Sequence, residues 1–135
     1  MSSMIIPTLK YDDAAAAIEW LCTAFGFEKH LVVTGDKQLI DHAQLTLNGG
    51  MIMLSSVRDT LFDDLQKTPK AVGGAGTQSP YIVISDVDAH HRLAKTAGAE
   101  IVMPPEDQDH GGRSYSCRDP EGHLWNFGSY DPWED

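Results

Sequence analysis

The chain repeats one order of secondary-structure signals, and this repeat limits the folds that it can adopt. Each half contains a strand pattern, an amphipathic helix pattern that stops at a glycine, two more strand patterns, a turn and a last strand pattern. The helix-ending glycines are Gly26 and Gly98, and the turns contain Gly50 and Gly122, so each landmark returns 72 positions later. We therefore predict two βαβββ modules related by an internal repeat.

Local patterns give the bounds of the predicted elements. The first helix carries an apolar stripe from Ala14 to Phe25, with Asp12 or Asp13 as its N-cap. The predicted face of the second helix contains His90, Leu93, Ala94 and Ala97. The predicted strands are residues 5–11, 28–34, 39–47 and 51–55 in the first module, and 81–85, 100–103, 113–118 and 123–130 in the second.

These elements predict one α+β domain over residues 1–135. Module 1 covers residues 4–57 and module 2 covers residues 79–131. Between them, residues 58–78 are predicted to be an ordered excursion followed by a flexible glycine-rich linker. Neither module is large enough to bury a core alone, so the two sheets are expected to combine within one chain or between two.

Charge and composition exclude several classes of partner. The net charge is -10, from 10 basic and 20 acidic residues, and the basic residues are scattered, so we expect no nucleic-acid partner. An acidic surface serves solubility or attracts cationic ligands. No apolar run is long enough to span a membrane, no secretory signal is visible, and the only cysteines are Cys22 and Cys117. These features predict a cytoplasmic protein with reduced thiols and no membrane partner.

Three strings of the sequence carry a family resemblance. They are Ala24-Phe25-Gly26-Phe27-Glu28, Ala97-Gly98-Ala99-Glu100-Ile101, and the stretch of residues 118–127 that contains Asp119-Pro120-Glu121-Gly122. Together with the repeat, they resemble the glyoxalase/bleomycin resistance protein/dioxygenase (vicinal oxygen chelate) superfamily, especially its bacterial glyoxalase-like branch. The resemblance implies a curled mixed sheet whose concave face forms a ligand cup, with helices on the convex side. It also implies a homodimer that takes a small-molecule ligand.

The resemblance further implies four strand positions at which relatives bind a divalent metal. Carried onto this chain, they fall near Ile6 and Met53 in the first module and on Tyr81 and Asn126 in the second. Hard divalent cations prefer imidazole or carboxylate ligands, which none of these residues supplies. We therefore predict no metal and no cofactor, and a divalent metal enters only if this alignment is displaced.

Strand alternation selects the residues expected to face the cup. In residues 39–47, Ala43 and Leu45 suit packing against a helix, which turns His42 and Gln44 to the opposite face. His42 is the strongest polar candidate, although a half-buried structural histidine is an equal alternative. The predicted ligand-binding residues are His42, Gln44, Met53, Tyr81, Arg113, Tyr115 and Asn126.

Arg113 and Tyr115 enter that set because they follow the Gly111-Gly112 segment, a candidate loop at the cup mouth. Arg113 could bind a ligand carboxylate or phosphate. The alternative is an arginine at the rim that pairs with Asp107 or Asp109. For Trp20, packing or a dimer contact is favoured over ligand stacking.

Two functions follow from these patterns. The first is a metal-independent protein that binds a small, partly aromatic or cationic molecule in the cup. The second is a glyoxalase-like lyase or isomerase that acts on a small carbonyl compound, either metal-free or with a non-standard metal site. In the second, His42 is the candidate general base, because imidazole exchanges protons near neutral pH. The sequence identifies no other catalytic residue.

Overall fold

The computed structural model describes residues 2–134, and in that range it contains eight strands, three α-helices and two short 3-10 helices. No helix in that range is both long enough and apolar enough to cross a membrane. The elements are, in chain order, β1 (Thr8–Tyr11), α1 (Ala14–Phe25), β2 (Glu28–Thr34), β3 (Ile40–Leu47), β4 (Gly50–Ser56), α2 (Leu61–Leu65), β5 (Tyr81–Val83), α3 (Val87–Thr96), β6 (Glu100–Asp107), β7 (Arg113–Arg118) and β8 (Leu124–Gly128).

The strands form two four-stranded mixed sheets with the same topology. The order is β1-β4-β3-β2 in one sheet and β5-β8-β7-β6 in the other. The first strand of each module is parallel to the last, and the other pairs are antiparallel. This confirms the predicted α+β fold of two βαβββ repeats.

Helix α1 begins where the sequence predicts. Asp13, rather than Asp12, is the N-cap of α1, and its carboxylate accepts a hydrogen bond from the Ala16 amide. Asp86 caps α3 in the same way through the Ala89 amide. Gly26 ends α1 with a φ of 88°, a left-handed conformation that glycine adopts without strain.

The core lies between the helices and one face of each sheet. Ala43 and Leu45 on β3 and Trp125 and Phe127 on β8 are fully buried on these faces. Phe25, at the end of α1, joins the two modules, since its ring centroid lies 5.3 Å from that of Trp125 and 4.7 Å from that of Phe127. Burial of such a side chain contributes roughly 2–3 kcal/mol, so α1 is held against the second sheet as well as its own.

Several predicted elements differ from the structure, and β5 and β8 are shorter than predicted. Leu93 is 52% exposed, because the buried stripe of α3 starts at Val87 and continues to Ala94. β1 starts at Thr8 instead of Ile5. β6 continues to Asp107 through two prolines, which an edge strand with shifts in register tolerates.

The connection between the modules is anchored to the first sheet. Lys10 on β1 and Asp63 on α2 form a buried ion pair with 3.1 Å between Nζ and Oδ1. Burial acts to raise the pKa of Asp63, but hydrogen bonds from Thr60, the Arg58 amide and Lys10 lower it to about 2. The following segment contains a 3-10 helix at Pro69–Val72 and turns at Gly73.

Candidate functional site

The face of each sheet opposite the core, which we call the cup face, carries the candidate site. On β3, His42, Gln44 and Thr46 are half-buried, and His42 and Gln44 alternate with the buried residues Ala43 and Leu45, as the sequence predicts for this strand. On β4, Met51, Met53 and Ser55 occupy the corresponding face. Two adjacent strands of module 1 therefore present a thioether wall beside a polar row.

His42 and Gln44 contact each other on this face. The Nε2 atoms of the two side chains lie 3.0 Å apart. Because an amide NH2 group donates, the imidazole nitrogen that it contacts accepts, and Nδ1 then carries the proton of the neutral ring. Gln44 also lies beside Met53 in the β3–β4 register. Together, these three residues offer a ligand one N–H donor next to an apolar surface.

In module 2 the cup face is ordered by Asn126 and Tyr81. The Asn126 amide nitrogen donates to Ser79 Oγ at 2.8 Å and to the Pro80 carbonyl at 3.0 Å, and its oxygen accepts from Ser116 at 2.7 Å. These contacts connect β8 to β7 and to the entry of β5. The Asn126 side chain is therefore held in one orientation.

The Tyr81 ring lies over Gly128. Its hydroxyl donates to the Tyr130 carbonyl at 2.7 Å, and burial raises its pKa. A Cβ atom at position 128 would lie 2.5 Å from that hydroxyl, so only glycine allows the ring to adopt this place. Tyr81 is still 43% exposed and offers an aromatic face.

The strand register identifies the four positions at which the family resemblance places a metal. Thr8 pairs with Met53 across β1 and β4, and Tyr81 pairs with Asn126 across β5 and β8. The first position is thus Thr8, which corrects the assignment to Ile6, a residue that precedes β1. Hydroxyl, thioether, phenol and amide groups do not match the carboxylate and imidazole ligands that hard divalent ions prefer. Within residues 2–134, no three His, Cys, Asp or Glu side chains are grouped so that they could bind a metal ion.

An open cleft of about 1200 Å³ lies where the two modules and their connection meet. Two of the edge strands, β1 and β5, border it together with the residues before them, through Ile5 to Leu9 and through Ser79 to Val83, and so does Met51. Of the seven predicted ligand-binding residues, Tyr81 lines this cleft. His42, Gln44, Met53 and Asn126 lie elsewhere on the cup faces, outside its lining.

Tyr115 does not lie on the cup face, which corrects its predicted place. It is 1% exposed on the core face of β7, and its hydroxyl lies 2.6 Å from His90 Nδ1. Its ring stacks on Phe127 with 5.4 Å between the ring centroids, and burial raises its pKa. Strand alternation gives the reason, since Cys117, two residues later, is also fully buried.

The Arg113 side chain lies on the same face of β7 as Tyr115, so it also does not point to the cup. Its guanidinium contacts the Asp88 carboxylate at 3.1 Å and that of Asp107 at 3.3 Å, and these hydrogen bonds raise its pKa. The ion pair with Asp107 was the alternative to ligand binding. Arg113 connects β7 to α3 and β6.

The sequence predicts the packing side of His90 and the packing of Trp20, but not their hydrogen-bond partners. His90 bridges Tyr115 to the Phe25 carbonyl, 2.9 Å from its Nε2, and burial lowers its pKa. Its position three residues after Val87 on the buried stripe was the available signal. Trp20 packs within the chain, because its indole N–H donates to the Ala97 carbonyl at 2.8 Å.

The Asp119 carboxylate is the second feature that the sequence analysis misses. It accepts four hydrogen bonds at a place where the modules meet. Oδ2 accepts from the Tyr11 hydroxyl at 2.6 Å and from the Trp125 indole at 3.0 Å, and Oδ1 accepts from the Glu121 and His123 amides, both at 3.0 Å. Next to it, the Glu121 carboxylate accepts from the amides of Asp12 and Asp13 at 2.6 and 2.9 Å. The turn at 119–122 thus binds the start of α1.

Comparison with known proteins agrees with this architecture. The model of the glyoxalase/bleomycin resistance protein/dioxygenase superfamily matches residues 7–127. An uncharacterized protein of Mycobacterium bovis and another of Mycobacterium tuberculosis are each 35% identical over 122 residues, which is 90% of this chain and 80% and 71% of theirs.

Solved structures share the fold. TioX from Micromonospora sp. ML1 is 34% identical, with a TM-score of 0.73 over 94% of this chain and 98% of its own. The fosfomycin resistance protein FosX from Listeria monocytogenes, solved with Mn(II) and a dihydroxypropylphosphonic acid, has a TM-score of 0.68 over 98% of this chain and 93% of its own. At 18% identity, FosX shows similarity of fold alone. The chain belongs to the glyoxalase/bleomycin resistance protein/dioxygenase superfamily.

Proposed function

We propose that this protein is a homodimer that binds a small molecule on its cup faces without the divalent metal of its family. The observation that carries the proposal is the set of side chains at the four metal positions, Thr8, Met53, Tyr81 and Asn126. None is an imidazole or a carboxylate, so a divalent ion would lack the ligands that compensate for the loss of its hydration shell. Ligand binding then depends on shape and on weaker polar contacts.

The cup faces favour a flat, partly aromatic ligand. Met51 and Met53 supply flexible, polarizable surface that adapts to irregular shapes, and Tyr81 supplies a ring face. His42 and Gln44 add directed hydrogen bonds. The net charge of -10 attracts cationic molecules to the protein before contact is made. A cationic aromatic compound of the kind that a resistance protein sequesters in the cytoplasm fits these features.

The edge of the second sheet supports a homodimer. β5 stands at the edge of its sheet and borders the large cleft, and a strand at a sheet edge can pair with another chain. The outward carbonyls of β1 are already occupied, since Thr8 accepts from Gln66 and Lys10 contacts His123. Ile5 at the start of the first module is 94% exposed, and Leu65 on α2 is 76% exposed. Exposed apolar groups beside a cleft are typical of an interface. In this arrangement a second copy covers the cleft and completes the cup.

Elemental analysis of the purified protein tests the metal-free part of the proposal. We expect less than stoichiometric divalent metal and unchanged ligand affinity after treatment with a chelator. The ligand is sought by calorimetry with a panel of aromatic cations and glycopeptide antibiotics. Stoichiometric metal that is needed for binding would overturn the proposal. So would turnover of a methylglyoxal–thiol adduct that the His42→Ala change abolishes, because this result favours the lyase or isomerase.

Matched variants test the location of binding. Met53→Lys places a charge in the thioether wall and should weaken binding of any compound found in the panel by at least about tenfold. Leu93→Lys introduces the same charge on α3, on the helix side of the sheets, where Leu93 is 52% exposed, and should leave the affinity unchanged. Equal affinities for the two variants would place the ligand away from the cup faces.

A further inference from the structure

A second cavity lies between the modules, on the helix side of the sheets and away from the cup faces. Its volume is about 170 Å³, and it opens between α1 and the turn at residues 119–122. Its lining includes Tyr11, Asp13, Ala16, Trp20, Leu21 and Glu121. We propose that this cavity, here called the seam cavity, binds a small aromatic cation.

The walls of the seam cavity are held rigidly. The Trp20 indole N–H is occupied by the Ala97 carbonyl, and the Trp20 ring meets Phe25 edge to face at 5.0 Å between centroids. The Tyr11 hydroxyl is occupied by Asp119. Because its polar atom is already paired, Trp20 presents ring surface to the cavity, whereas Tyr11 and Leu21, which are 1% and 0% exposed, form the closed floor beneath it.

The size of the seam cavity limits the ligand to about one ring. An apolar cavity of roughly 150 Å³ engineered in another protein accepts benzene. The present volume therefore suits a single six-membered ring, with a substituent that extends through the open side.

The charge around the opening selects a cation. Asp13 and Glu121 border the cavity, and none of the described residues in its lining is basic. The Glu121 oxygens each accept one backbone amide, and Asp13 uses Oδ1 for Ala16, whereas a carboxylate has about four acceptor positions. Both groups thus retain capacity for an ammonium or amidinium group, and the face of the Trp20 ring attracts the same charge.

Titration of the labelled protein with benzamidinium, followed by NMR, tests this inference. We expect saturable shifts of the Ala16, Ala17 and Glu121 amides and of the Trp20 indole. Benzyl alcohol, the neutral comparison, should bind at least about tenfold more weakly, and benzoate should cause no shift. Saturation by benzoate, equal affinity for the neutral compound, or no saturation with benzamidinium would overturn the proposal.

Three variants locate the site and its charge. Ala16→Trp fills the cavity and should abolish the shifts, whereas Ala15→Trp, on the exposed side of the same helix, should retain them. Asp13→Asn preserves a good N-cap and should weaken benzamidinium binding without weakening benzyl alcohol binding. An unchanged affinity for Ala16→Trp contradicts the site. These results are independent of binding to the cup faces, for which Met53→Lys is the test.

Discussion

The Tyr11 hydroxyl donates a hydrogen bond of 2.6 Å to the Asp119 carboxylate, across 108 positions of sequence and from one module to the other. Both side chains are buried, at 1% and 5% exposure. Burial raises the pKa of Tyr11, and the Asp119 charge raises it further, so the phenol remains a donor. The carboxylate that receives this bond also fixes the 119–122 turn and the Trp125 indole.

Asp119→Asn should destabilise the protein strongly. The amide retains one acceptor oxygen for four donors and directs its own NH2 group at some of them, so buried donors lose their partners. We expect a loss of about 2–4 kcal/mol in the free energy of unfolding, measured by urea denaturation. Asp12→Asn is the matched control, because the Asp12 residue is exposed, and it should change stability by less than about 0.5 kcal/mol. Equal effects would contradict the role of Asp119.

The Lys10–Asp63 ion pair should make the free energy of unfolding sensitive to acid. The pKa of Asp63 is lowered from its ordinary value of 3.8 to about 2, so its contribution is complete above pH 4 and is lost as the pH falls through 2. The contribution amounts to roughly 2 kcal/mol. Asp63→Asn should therefore be less stable than the wild type at pH 7, and the difference should narrow towards pH 2.

The matched control for this prediction is Asp64→Asn on the exposed side of α2. It should follow the wild-type stability at every pH, measured by urea denaturation between pH 2 and 7. A difference between Asp63→Asn and the wild type that stays constant with pH would contradict the assignment of the pKa.

His90 should also make the free energy of unfolding depend on pH, in a range closer to neutrality. Burial between Phe25, Phe127 and Tyr115 lowers its pKa below 6.5, so the folded state resists protonation that the unfolded state accepts. Stability is therefore complete above that value and falls as the pH drops through 6.5 towards the lowered pKa. His90→Gln should reduce this slope between pH 7 and 5, as thermal unfolding can show, while His30→Gln on β2 should retain it. Part of the slope should remain, because burial also lowers the pKa of His91.

Two tyrosines on opposite faces of the second sheet should respond differently to loss of their hydroxyl groups. Tyr115→Phe leaves His90 Nδ1 without its buried partner and should cost about 1–2 kcal/mol, with no effect on a ligand of the cup faces. Tyr81→Phe loses a more exposed bond and should cost less. Tyr81→Ala, which removes the ring, should weaken ligand binding by calorimetry. If Tyr115→Phe bound the ligand more weakly, Tyr115 would contribute to ligand binding, as the sequence predicts.

The repeat and the strand alternation were sufficient to predict the fold and one wall of the candidate site. On β3, the apolar residues Ala43 and Leu45 fix which face is buried, and His42 and Gln44 follow from the period of two. The same rule, applied to Tyr115 and Cys117 on β7, would have placed Tyr115 in the core. Its prediction as a ligand-binding residue rests on its proximity to the Gly111-Gly112 segment, which does not determine the face of β7 on which it lies.

Contacts between the modules could not be predicted in this way. The bond from Tyr11 to Asp119 and the contact of His90 with the Phe25 carbonyl depend on how two sheets pack through their helices. Local periodicity describes one element and its buried side. It contains no information on which residue of a distant element lies opposite.

The same bond shows that the two repeats have become unlike. The residue of module 2 equivalent to Tyr11 is Ile84, because Thr8 and Tyr81 occupy equivalent positions in the two registers. The residue of module 1 equivalent to Asp119 is Leu47, because each lies three residues before the glycine of its turn. Module 1 supplies the donor, Tyr11, and module 2 supplies the acceptor, Asp119, so two copies of the same module cannot form this bond. If the chain were divided between Gly73 and Gly74, each fragment should therefore associate with the other fragment in preference to a copy of itself. Such selective association is the basis of a complementation reporter.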